Sequence, residues 1–195
     1  ISSNPNDPAG YLLRGISTEW FQIVNNKGKS FNKKIMADYQ KARILATDAL
    51  EADKNNLDKK VMLGNSYIYV AKKLIDTSHN VQAGSALKKA KNLMEEVLQQ
   101  NPSQHEAYFA IGLFNYFSEN VPPGFKWLAK LLGFNGSRTK GLDYLNKASN
   151  SKNLTQGDAI YILVYIFSDK ESKYATALKY SQILRKKYPN NPVFL

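Results

Sequence analysis

The sequence predicts an all-α protein assembled from repeated helical pairs, and three observations carry that prediction. Apolar residues recur at three- and four-residue steps through most of the 195-residue chain. No segment alternates apolar and polar residues long enough to claim a strand. A fixed spacing of small and bulky residues returns four times, each time in the second helix of a pair.

The elements follow in order. Asn4-Pro5-Asn6-Asp7-Pro8 reads as a turn, with Pro8 suited to the first position of a helix because its missing N–H costs nothing there. Tyr11, Leu12, Gly15, Ile16, Glu19, Trp20 and Ile23 keep helical spacing to about Asn25. After a polar loop, a second helix runs from about Asn32 to Ala52, with Ile35, Tyr39, Ala42 and Ala46 on its apolar side. A third carries Val61, Leu63, Gly64, Tyr67 and Ile68 and stops near Asp76. Its partner spans about Val81 to Gln100 and ends at Asn101-Pro102. The third pair opens with Ala107-Tyr108-Phe109-Ala110-Ile111-Gly112 and closes with Gly141 to Ala148. The last pair is Gln156 to Phe167 and Tyr174 to Tyr188, followed by Pro189-Asn190-Asn191-Pro192.

The recurring ruler is +4, +3, +5. It is met by Ala42, Ala46, Ala49 and Lys54, and by Ala90, Met94, Val97 and Pro102. Gly141, Leu145, Ala148 and Asn153 repeat it, as do Ala177, Ser181, Leu184 and Pro189. A small first residue lets the paired helix approach closely, and the +4 and +3 steps hold one face inward. These residues resemble the second helix of the tetratricopeptide repeat. The first helices support the resemblance through Tyr11 and Gly15, through Leu63, Gly64 and Tyr67, and through Tyr108, Ile111 and Gly112. A looser match comes from Ile160, Leu163, Val164 and Phe167.

The resemblance implies a right-handed α-solenoid, one domain over residues 1–195, of about four hairpins at 8–53, 57–101, 105–152 and 156–189. Ruler starts at 42, 90, 141 and 177 lie 90 − 42 = 48, 141 − 90 = 51 and 177 − 141 = 36 residues apart. The usual period is about 34 residues, so helices or loops are lengthened in the first three pairs. The third pair holds an insertion at 121–137, expected to include a short helix. Its Trp-Leu and Leu-Gly-Phe stretch ahead of Gly141-Leu142-Asp143-Tyr144-Leu145 also resembles a group of poorly characterised bacterial tetratricopeptide-repeat proteins. That second resemblance implies an extracytoplasmic, periplasmic location. The first residue, Ile1, implies an upstream segment that the chain does not contain.

Composition narrows the chemistry. The chain has no cysteine, which excludes disulfides and thiolate metal sites. No apolar run reaches the roughly 18 residues of a spanning helix. The formal net charge is +11, which suits acidic partners, nucleic acid or anionic membranes. The lysines are scattered in small groups such as Lys33/Lys34, Lys88/Lys89/Lys91 and Arg185/Lys186/Lys187, as on solvated helix faces.

No catalytic, metal-binding or cofactor-binding residues are assigned. His79 and His105 lack ligand neighbours at helical spacing, and His105-Glu106 is not followed by the second histidine of a zinc-protease helix. Gly28-Lys29-Ser30 imitates the end of a phosphate loop, but Ile23 stands where the earlier glycine belongs. Glu95 and Glu96 sit on a solvated face. Asn135-Gly136-Ser137 and Asn153-Leu154-Thr155 match the glycan acceptor pattern, which matters only in a eukaryotic secretory setting.

Function is therefore sought in surfaces. The repeat resemblance implies a concave face lined by first helices. Its groove positions fall on Asn65 and Tyr69, on Glu106, Phe109, Leu113, Tyr116 and Phe117, and on Tyr161 and Tyr165. Leu113 and Phe117 read better as core. Tyrosines at the other positions could serve either a core or a groove, since a ring with a hydroxyl suits both. In the insertion, a helix would place Phe125, Trp127, Leu128, Leu131 and Leu132 on one arc and Lys126 and Lys130 opposite. Such a segment could plug the groove, dock a partner or lie on a membrane.

The function implied by resemblance is a non-catalytic scaffold for a protein or peptide, with an acidic one suited to the charge. The alternative is a basic module that uses residues 125–134 and the lysine groups to bind a membrane surface. Nucleic acid is a weaker form of that alternative, supported by charge without a motif. Nothing in the sequence sets an oligomeric state.

Overall fold

The computed structural model describes residues 4–119, 133, 135–153 and 155–194. All secondary structure in them is helical. The elements are α1 (Pro8–Val24), α2 (Asn32–Ala52), α3 (Leu57–Asp76), α4 (Asn80–Gln100), α5 (Ala107–Glu119), α6 (Arg138–Ser149), α7 (Gln156–Tyr165) and α8 (Tyr174–Lys187). A π-helical turn, Ile166–Lys170, follows α7, and a 3₁₀ turn, Pro192–Phe194, follows α8. The chain divides into two compact units, Ile1–Asn101 and Pro102–Leu195.

Local chemistry starts the helices where the sequence predicts. The Asp7 carboxylate caps α1 by accepting from the Ala9 N–H at 2.9 Å, and Pro8 occupies the first turn. Asn56 caps α3 through the Lys59 N–H at 3.1 Å, with Asp58 in the favourable first turn. Ser137 caps α6. Each cap satisfies a backbone donor that the helix itself leaves without a partner.

Helices pack in chain order within each unit. In the first, α1 pairs with α2, α3 with α4, and α2 lies against α3. In the second, α5 pairs with α6, α7 with α8, and α6 lies against α7. This is the sequential hairpin packing of an α-solenoid. The ruler residues explain it: Ala42, Ala46, Ala90, Met94, Val97, Leu145, Ala148, Ala177 and Leu184 are all buried. Burying a side chain the size of Met94 or Leu145 contributes about 1.5–3 kcal/mol, so the ruler marks where stability is concentrated.

In the α5/α6 pair the two backbones come close together. A Cβ on Gly141 would stand 2.5 Å from the Tyr116 backbone nitrogen, and one on Gly112 would stand 2.9 Å from that of Leu145. Each glycine thus meets the opposite backbone, which cannot rotate away as a side chain can.

One sequence reading needs adjustment, and another is not tested. The first helix of the last pair, expected to reach Phe167, gives way to the wider π turn after Tyr165. That turn keeps Ile166 in the core and carries the chain to Glu171, whose carboxylate is used. The insertion at 121–137, including Phe125, Lys126, Trp127, Lys130 and Leu131, lies outside the described residues except for Gly133 and residues 135–137.

Candidate interaction site

In the first unit, α3 is the central element and its groove-position residues face inward. Tyr69 is buried with Leu12, Ile35 and Tyr39, its ring 5.3 Å from that of Tyr39. Asn65 is fully buried. A partner cannot touch either without repacking the unit.

Beside them lies a charge cluster that sequence spacing does not reveal. Glu19 of α1 is buried, as is Lys73 of α3, and their charged atoms are 2.8 Å apart. The second Glu19 oxygen accepts from Lys72 at 2.8 Å and from the Tyr39 hydroxyl at 3.0 Å. Lys73 also reaches Asp76 at 2.8 Å. Burial alone would push the Glu19 carboxyl up, but Lys72 and Lys73 outweigh it and hold it below its ordinary value. Burial pulls Lys73 down, and Asp76 with Glu19 more than reverses this, leaving it raised. Nearby, Arg14 of α1 donates to Asp38 of α2 at 2.9 Å. The whole cluster is internally satisfied, and it ties α1 and α2 to α3.

In the second unit, Phe109 and Tyr116 are buried, whereas Leu113 and Phe117, expected in the core, are half-buried. The Tyr116 hydroxyl donates to Glu171 at 2.9 Å, and Arg138 holds both oxygens of the same carboxylate. Burial and the Glu171 partner push Tyr116 up to about 12. The Arg138 and Tyr116 hydrogen bonds draw Glu171 down despite its partial burial. This knot joins α5, the start of α6 and the end of the π turn.

The remaining groove positions are open to solvent to some degree. Glu106 is half-buried just before α5, and Tyr165 is half-buried with the Lys170 ammonium 5.3 Å from its ring. Tyr161 is exposed, 6.2 Å from the Phe194 ring, which also meets Tyr188 at 5.9 Å. A second aromatic patch joins Tyr108 and Tyr144, with rings 5.3 Å apart and the Lys147 ammonium near both. The three-residue step from Tyr144 to Lys147 on one helix was a readable signal for part of this patch.

Among the described residues, no group of acidic and histidine side chains could hold a metal ion, and no helix is long and apolar enough to cross a membrane. His79 is engaged with the Thr77 hydroxyl at 3.0 Å, and the His105 ring packs edge-on against Tyr108.

Hairpins packed in sequence order, each with a small-residue seam, place this chain in the class of helical-repeat proteins with tetratricopeptide-like hairpins. The Iml2/Tetratricopeptide repeat protein 39 family model matches residues 29–195. The chain belongs to that family. No solved structure matches it.

Proposed function

We propose that this protein is a non-catalytic scaffold that binds a protein or peptide partner through its helical hairpins. The family match over residues 29–195 carries this reading, because stacked hairpins leave extended helix faces suited to protein partners. Among the groove positions, Tyr161, Tyr165 and Glu106 are the contact candidates, since a ligand can reach them without disturbing the core. Asn65, Tyr69, Phe109 and Tyr116 act at one remove, by fixing the helices that present the surface.

The test is site-specific photo-crosslinking in cells from which the full protein is recovered. A photoreactive amino acid at Tyr161 or Glu106 is expected to give discrete protein adducts. One at Thr47, on the second helix of the first hairpin, serves as the comparison. A scan of exposed first-helix positions that yields no adduct overturns the reading.

A further inference from the structure

Of the eight described α-helices, α8 alone carries no aspartate or glutamate; from Ser172 to Phe194 the chain has Lys173, Lys179, Arg185, Lys186 and Lys187 and no acidic side chain. Lys187 is engaged, donating to Gln156 and lying 5.8 Å from the Tyr188 ring. Lys179, Arg185 and Lys186 have no hydrogen-bond or ion-pair partner among the described residues and are exposed. A helix C-terminus favours positive charge through its dipole. That favours the cations of the last turn, and does not account for Lys179 in the middle.

The exposed face is ordered along its length. Ala177 and Leu184 point into the unit, so the stripe Tyr174, Leu178, Gln182 and Arg185 faces outward at helical spacing. Tyr174 is 68% and Leu178 58% exposed, making the first two turns an apolar landing. The last turn is cationic. There Gln182, Arg185, Lys186 and Pro189 line a shallow recess.

We infer that the outward face of α8 docks an acidic amphipathic protein segment, whose apolar side chains cover Tyr174 and Leu178 and whose carboxylates enter the recess to meet Arg185 and Lys186. The inference rests on the scaffold reading and adds to it a surface and a partner chemistry. A guanidinium fork beside an ammonium and an amide matches a carboxylate in both charge and hydrogen-bond geometry. A membrane is the poorer occupant. A membrane-surface helix needs one broad apolar face, and here exposed Ile183 lies on a different side of α8 from Tyr174 and Leu178, with Lys179 and Lys186 between them.

The probe is a short fluorescent amphipathic peptide with leucines four residues apart and glutamates one turn beyond them. Its controls are a twin with glutamine for each glutamate and vesicles of phosphatidylcholine with phosphatidylserine. Anisotropy is expected to report binding of the glutamate peptide, weakened steeply by salt and about ten-fold or more by Arg185→Glu with Lys186→Glu. Leu178→Ser is expected to weaken binding while leaving its salt dependence intact. All three side chains are exposed, so helical circular dichroism should be unchanged and a loss of binding is not a loss of fold. Absence of peptide binding overturns the inference, as does equal binding of the glutamine twin or indifference to both variants. Preference for the vesicles over the peptide does so too. If crosslinks at Tyr161 and Glu106 persist when α8 fails these tests, the α8 surface falls and the scaffold stands.

Discussion

In the first unit, α1 and α2 are tied to α3 by charges taken out of water, with Glu19 and Lys73 each almost fully enclosed. The α5/α6 joint of the second unit shows no such buried pair among the described residues. It relies on Gly112 and Gly141, which let two backbones approach until there is no room for a methyl group. Its carboxylate knot at Glu171 sits at the rim, where Arg138 remains partly exposed. One architecture is therefore held in two ways. Buried ion pairs are demanding because each charge requires its partner, and glycine seams are demanding because each requires the absence of a side chain.

The sharpest break is Glu19→Leu. It leaves Lys73 buried with half its compensation, and a loss of about 3 kcal/mol in urea unfolding is expected. Amide exchange should rise first in α1 to α3. If exchange rises instead in residues 102–194, the contrast between the units fails.

The same cluster predicts a pH dependence. Glu19 is held below its ordinary value, so its contribution is complete above the ordinary carboxylate range and disappears as pH falls through its folded pKa. Lys73 is raised, so its contribution is complete below the ordinary lysine range and lost only as pH rises through that raised value. The stability gap between wild type and Glu19→Gln should therefore be flat through neutral pH and narrow towards about pH 3. A gap unchanged on acidification would show that the carboxylate charge does not matter.

Gly141→Ala tests the seam. Alanine for glycine inside a helix ordinarily stabilises by about 0.5–1 kcal/mol. Here the added methyl meets the Tyr116 backbone, and a net loss of about 2 kcal/mol is expected. A rise in melting temperature would show that α5 and α6 can part without cost.

Tyr116→Phe removes one hydrogen bond to a carboxylate that Arg138 still holds, and about 1 kcal/mol should be lost. Smallest is Lys147→Ala. Its pair with Asp143 is exposed on both sides, and thermal melting should not register the change.

The legibility of these features follows sequence separation. Ala90, Met94 and Val97 lie within two turns of one another, so their common face could be read directly and the structure buries all three. Asn65 and Tyr69 had the spacing of a groove, but spacing does not say which neighbouring helix covers it. In the structure α2 and α4 flank α3, and both residues are enclosed. Glu19 and Lys73, or Arg138 and Glu171, are separated by tens of residues and carry no local signature at all.

The outward face of α8 stands between these cases. Its run of cations was visible as Arg185/Lys186/Lys187, and it read as an ordinary solvated face. The ruler had already set Ala177 and Leu184 inward; the structure buries both and leaves Tyr174, Leu178 and Arg185 exposed beside the recess.

By itself, the sequence determined most of the helices, the start of the first at Pro8, the inward ruler and the tetratricopeptide resemblance, because these rest on patterns within a few turns. The tertiary structure decided which tyrosines are core, which charges are buried together, and where two glycines admit a backbone. Those outcomes depend on helices far apart in the chain meeting in space, and no periodicity within one helix encodes them.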